Sequence, residues 1–296
     1  MFMLCGVFAL LAVWTHRSLA RLTRPPEIPA HPQRIVSLAP SVTEILYALD
    51  LGDRVAGLTD YCAWPPETAG KPRVAGFSQI NFEALLRVRP DLAALPVDKI
   101  GSRIRLEQLG IPVMLLDTRS LRGFMEAVAA LGRAAGREPQ ARALLTGMET
   151  ALEAAKARAR GHPKPRVLFV VMHSNKRPGH IQEVNVVGRD GFFSEMLEAA
   201  GGVNAYQGNL PFPLLSREAI IFLNPEVILD VAPPAMSADP AANMRYWAGF
   251  TGVSAVAHKR VHSIADAGAT VPGPRFPQTL ALISEALHPA AAEERP

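Results

Sequence analysis

The chain has 296 residues, 49% of them hydrophobic, enough to bury one large core or two modest ones and too apolar for disorder over most of its length. Its formal charge is +4, but Arg17, Arg21 and Arg24 face only Glu27 near the start, and from His31 onward 28 basic residues meet 26 acidic ones. Phosphate binding needs a concentrated basic face, so no nucleic-acid partner is expected, and two cysteines, Cys5 and Cys62, build no disulfide framework.

Met1 to Trp14 is apolar, with the length of a signal h-region and less than a bilayer span requires. It lacks a positive n-region and its nearest charges follow it, which leaves open a misplaced start, an export signal or an outward-facing anchor. After the proline-rich stretch Pro25 to Pro32, RIVSLAP (34–40) reads as a buried strand. Ser41 with Glu44 three residues on reads as a capping box, opening a helix with Ile45, Leu46 and Leu49 on one face. Strands at 54–59, 90–96 and 111–117 alternate with helices at 81–88 and 101–109, the repeating unit of a parallel sheet.

From Leu121 the pattern becomes helical for about forty residues, read as helices at 121–135 and 138–160 or one kinked rod, with Pro139 tolerated in a first turn. A second set of strands and helices follows: strand 164–171, helix 191–200 ending at Gly201–Gly202, helix 216–223, strand 226–231, helix 240–248, strand 260–264 and a last helix from Pro277 to Leu287. The expected fold is therefore α/β, with two lobes built on mostly parallel central sheets flanked by helices and joined by a long helical bridge. The segments are an N-terminal signal or anchor and linker (1–30), a first lobe (31–120), a bridge (121–162), a second lobe (163–290) and a tail (291–296).

An internal correspondence supports two similar lobes. Phe77, Glu83 and Pro90 recur as Phe212, Glu218 and Pro225 at a constant offset of 135 residues, without a gap. In each copy a capping residue, Asn81 or Ser216, precedes the glutamate by two positions. Either the glutamates stabilise a helix N-terminus, or they are a pair of outward-facing docking charges, one per lobe.

The motifs of common chemistries are missing. No G-x-G-x-x-G follows a strand, the P-loop pattern is absent, Ser37 and Ser41 are in no G-x-S-x-G, and no H-E-x-x-H pairs the histidines. Catalytic residues and protein-ligated metal are expected to be none. His173 and His180 are read as rimming a cleft through ordinary hydrogen bonds, and Asp60, Asp117, Asp190 and Asp266 show no acid/base pairing. Loop aromatics are the richer signal: Tyr61 and Trp64 in DYCAWPP, Phe77 in GFSQ, Phe212 in LPFP, and Tyr246 and Trp247 in MRYW. At the carboxyl ends of strands such residues offer rigid apolar area to a flat or bulky ligand, against a background of plain local packing.

RIVSLAPSVTEILYAL, GLTDYCAWPPE, GFSQINFEALLRVRPDL and LPFPLLSREAI together closely resemble the vitamin B12-binding proteins and their ferric-siderophore relatives among the substrate receptors of ABC importers, from about Arg34 to Leu287. The resemblance implies an extracytoplasmic, monomeric receptor without cofactor or catalysis. It would bind its ligand in a groove between the lobes and dock on a dimeric membrane permease driven by ATPases. Glu83 and Glu218 match the docking glutamates. Tyr61 matches a corrin-contacting aromatic, and Phe77 and Phe212 stand where the cobalamin receptor has tryptophans. Pro96-Val97-Asp98 replaces a further tryptophan, and the late loop ADAGATVPGPR aligns poorly. Cobalamin or a related corrinoid is the first expectation and a ferric siderophore or haem the second, with Arg103, Lys176, Arg177 and Arg275 as sources of charge. An enzyme holding a cofactor in the groove is the alternative of another class.

Overall fold

The structure is a computed structural model and describes residues 25–76, 79–173, 183–231, 245–264, 266 and 268–289. The expectations for Met1 to Trp14, for Phe77, Lys176, Arg177 and His180, and for the tail lie outside these residues. The chain forms two units, one of Met1–Leu116 with Arg133–Arg137 and the other of Asp117–Gly132 with Glu138–Pro296.

In the first unit, apolar runs bounded by turn residues form β1 (Ile35–Ser37), β2 (Val55–Thr59), β3 (Arg73–Ala75), β4 (Leu92–Pro96) and β5 (Val113–Leu116). They pair in the order β3-β2-β1-β4-β5, every pair parallel. Parallel neighbours need crossovers, which α1 (Pro40–Ala48), α2 (Phe82–Arg87) and α3 (Ile100–Gln108) help to supply. With both faces covered, Ile35, Val36, Leu58, Leu92, Ala93, Ala94 and Leu95 are all buried. The strand order reverses at β1, which has β2 on one side and β4 on the other. At such switch points parallel sheets open a crevice at their carboxyl ends.

The capping box expected at Ser41 does not form. Ala39 is the N-cap, Pro40 opens the helix, where its missing N–H is no loss, and Ser41 is a buried helical residue. The hydroxyls of Ser37 and Thr43 instead donate to the Ala39 carbonyl, at 3.1 and 3.2 Å. Asn81 and Ser216 do cap as expected, each accepting from a backbone N–H three residues on.

The helical stretch folds as α4 (Leu121–Ala135) and α5 (Glu138–Ala159). Between them Gly136 has φ +67°, and a Cβ there would collide with the imidazole of His31. The second unit carries β6 (Arg166–His173), β7 (Glu183–Val186), β8 (Val203–Asn204), β9 (Leu214–Ser216), β10 (Val227–Asp230) and β11 (Val261–Ser263). Their order is β11-β10-β6-β7-β9, with β8 also on β6. The β6–β7 and β7–β9 pairs are antiparallel and the other three pairs parallel, so the sheet is mostly parallel, as expected, with an antiparallel edge. Helices α6 (Phe192–Ala199), α7 (Arg217–Leu223), α8 (Ser254–Ala257) and α9 (Phe276–Leu287) complete the unit. α5 packs along α9, and Phe124, Phe192 and Phe276 meet edge to face with centroids 5.5, 5.6 and 6.5 Å apart.

Candidate functional site

In the first unit the loop after β2 carries Tyr61 and Trp64, whose exposures of 58% and 45% are high for such large apolar side chains. The loop is held from beneath. Cys62 between them is fully buried, and Thr43 and Thr59 place their hydroxyl oxygens 3.0 and 3.1 Å from its sulfur. Ser37 and Thr43 hydroxyls lie 2.7 Å apart, so one buried polar chain ties the ends of β1 and β2 to α1. Arg73 on β3 donates to the carbonyls of Thr59, Cys62 and Thr68 at 2.8, 3.0 and 3.1 Å. A fixed loop that projects two aromatic rings loses little entropy when they are covered, which suits it to hold a ligand.

In the second unit Phe212 is 51% exposed, with one edge against Phe193 at 6.2 Å. Its loop is pinned where Gly188 donates to the Pro211 carbonyl at 2.7 Å. Any Cβ at Gly188 would collide with the Leu210 carbonyl, so only glycine allows this approach. Asn204 closes the same corner, donating to the Val187 and Gly188 carbonyls at 3.1 and 2.7 Å.

Other expected residues are placed differently. Trp247 has 0% exposure, and its indole N–H donates to Asp230 Oδ2 at 2.7 Å, so it presents no surface to a ligand. His173 does not rim a cleft. Its side chain is buried, with Nε2 2.8 and 2.9 Å from the two Asp230 oxygens, while Tyr246 and Trp247 lie against its ring. A bulge between Val170 and Met172 turns His173 onto the face of its β7 partner Val184, a core residue. Tyr246 is half-buried at this cluster. Arg275 is mostly buried, 3.9 Å from Asp266, and Gly268 leaves the space its guanidinium fills. Arg103 pairs with Glu107 at 2.8 Å, and Asp117 binds Arg119 through both oxygens, which holds its carboxyl below the usual range.

Glu83 and Glu218 both sit exposed in the first turns of their helices. Glu83 pairs with Arg87 at 2.7 Å. Glu218 bonds back to its own N–H and to the Ser216 hydroxyl, which keeps its carboxyl below the usual range. Among the described residues no group of three or more His, Cys, Asp or Glu side chains converges as a metal site would, and no helix is long and apolar enough to cross a membrane. Two cavities of about 420 and 310 Å³ lie within the second unit, lined by Lys164, Arg189 and Glu198 and by His162, Arg260 and His288 among others. None of the aromatic candidates lines either.

Two α/β units, each with an exposed aromatic on a fixed loop, have the build of a small-molecule binding protein. The chain belongs to the Periplasmic binding protein family, which it matches over residues 35–267. It is 28% identical to an uncharacterized ABC transporter substrate-binding lipoprotein, YvrC of Bacillus subtilis, over 90% of this chain and 83% of that protein. It is 26% identical to the vitamin B12-binding protein of Vibrio cholerae, over 82% of this chain and 84% of that one. The fold matches the periplasmic heme-binding protein of Pseudomonas aeruginosa with a TM-score of 0.72 at 24% identity, covering 88% of this chain and 94% of that one. The chain is thus the extracytoplasmic substrate-binding component of an ABC importer for a small ligand and partners a membrane permease with its ATPase; the family is not one of enzymes.

Proposed function

We propose that the ligand is cobalamin or a related corrinoid, delivered to a dimeric permease on which the receptor docks through Glu83 and Glu218. The reading rests first on Tyr61 and Trp64, two large exposed aromatic side chains on a loop held by Cys62 and Arg73. Phe212 offers a third such surface, and Phe77 is assigned to the same task from its place in the repeat. A broad tetrapyrrole-like ring gains from rigid apolar platforms more than from charges. The charges expected for a siderophore are in part already used, Arg103 by Glu107 and Arg275 by Asp266. Arg177 and Tyr246 keep an accessory role in this reading. A relative named for vitamin B12 binding supports the corrinoid, and the shared fold of a heme-binding protein favours haem as the second reading.

The test is isothermal titration of the receptor with cyanocobalamin, beside haem and a panel of ferric siderophores. Tight binding of cyanocobalamin alone is the expected result. Heat only with haem or an iron complex would keep the importer role and replace the ligand.

A further inference from the structure

The two glutamate helices agree in burial position by position and differ in what stands beside the carboxylate. At the offset of 135 residues, exposed Leu86 matches exposed Ile221 and buried Leu85 matches buried Ile220. Arg87, which neutralises Glu83, is replaced by Phe222. Phe222 is 89% exposed on a well-formed helix, one turn beyond Glu218. Glu218 has no ion-pair partner among the described residues. The neighbouring Arg217 is turned away, with its guanidinium over the Phe250 ring at 4.4 Å and bonded to the Gly249 carbonyl. One face of α7 therefore presents a carboxylate outside any ion pair among the described residues, a large aromatic and half-exposed Ile221 together. A single exposed apolar residue is ordinary, but an aromatic beside an unpaired charge matches the chemistry of an interface anchor.

We propose that the C-terminal unit docks on the permease through Phe222 as well as Glu218, and that the permease offers a basic residue next to an apolar pocket there. The N-terminal unit offers exposed Leu86 but no exposed aromatic on α2, and its Glu83 is paired with Arg87, so the two contacts are unequal. This rests on the docking role of the glutamates and adds to it an apolar anchor and an order of strength. The basic residue is implied by charge complementarity, since Glu218 forms no ion pair among the described residues and Arg217, the cation of its own helix, is held instead by Phe250 and Gly249.

The experiment measures binding of the full receptor to its permease–ATPase complex in nanodiscs, with empty nanodiscs of the same lipid as control. The variants are Phe222→Ser, Glu218→Lys and Arg87→Ala, all at exposed positions and each checked by its melting curve. Phe222→Ser is expected to weaken permease binding by about 10-fold or more. Arg87→Ala is expected to leave it unchanged or strengthen it. If Glu218→Lys weakens binding and Phe222→Ser does not, the anchor is overturned while the docking role stands. If neither variant changes binding, the docking role falls and the anchor with it. An equal loss on empty nanodiscs would assign Phe222 to the lipid surface, and a Phe222-dependent dimer in sedimentation would assign it to a second copy of the chain; either overturns the proposal.

Discussion

In the first unit Arg34 at the head of β1 donates to the Val88 carbonyl at the end of α2, and Asp91 accepts from the backbone of Gln33 and Arg34. In the second, Arg166 at the head of β6 donates to the Leu223 carbonyl at the end of α7, and Glu226 accepts from the backbone of Arg166. Arg89 and Asn224 take the same left-handed turn, φ +44° and +42°, between helix and strand. Even the first helical position repeats in function: Phe82 lies under Arg105 and Arg217 lies over Phe250, the same cation–π contact with its partners exchanged. Against this sameness, the strand that follows ends differently. Leu95 packs in an apolar core on β4, whereas its counterpart Asp230 on β10 gathers Trp247 and His173. The framework of the repeat is preserved, and the divergence falls at the carboxyl ends of β4 and β10 and beside the exposed glutamates of α2 and α7.

Copying the first unit onto the second is the severest test of that contrast. Asp230→Leu removes the acceptor of two buried N–H groups and is expected to destabilise by roughly 2–5 kcal/mol in urea unfolding. A neutral result would mean the buried network contributes nothing. Asp91→Ala and Glu226→Ala should each cost about 1 kcal/mol, Asp91 the more because it accepts two bonds. Removing the caps, Asn81→Ala or Ser216→Ala, should cost about 0.5–1 kcal/mol each, and unequal losses would show that the two helices depend on their caps differently.

Acid should expose a further difference. His262 and His288, both in the second unit, are held below the usual imidazole range, first by burial and then, for His262, by Arg260. The unfolded chain therefore binds protons that the folded chain refuses. This contribution is full above the ordinary histidine pKa and declines as pH falls through it. Melting temperature should drop between pH 7.5 and 5.5, and His262→Gln should flatten that slope. An unchanged slope would place the acid sensitivity elsewhere.

Much of the fold was legible because strand–helix alternation and helix caps are local signals. Asn81, Ser216, the bounds of α4 and α5, and the constant offset could all be read from short windows. Asp91 and Glu226 could not, since their donors are chosen by pairing of distant strands, with 57 or more residues separating each from its partner. Arg73 could not, since its acceptors are carbonyls from the end of β2 through an irregular stretch that carries no periodic pattern. The antiparallel β7 and β9 are too short to carry a pattern. Trp247 was misread because an aromatic in a loop looks the same in sequence whether it faces solvent or, as here, a buried aspartate. Tyr61 and Trp64 were readable as residues, but what fixes their loop was not, because the Cys62 contacts come from α1 and β2 together.

The most direct measurement is uptake of labelled cyanocobalamin by cells whose only receptor is this protein, wild type against Glu83→Lys/Glu218→Lys, with the affinity of each for cyanocobalamin measured in parallel. Abolished uptake at unchanged affinity is the predicted result, whereas normal uptake by the double variant would contradict delivery through these two helices.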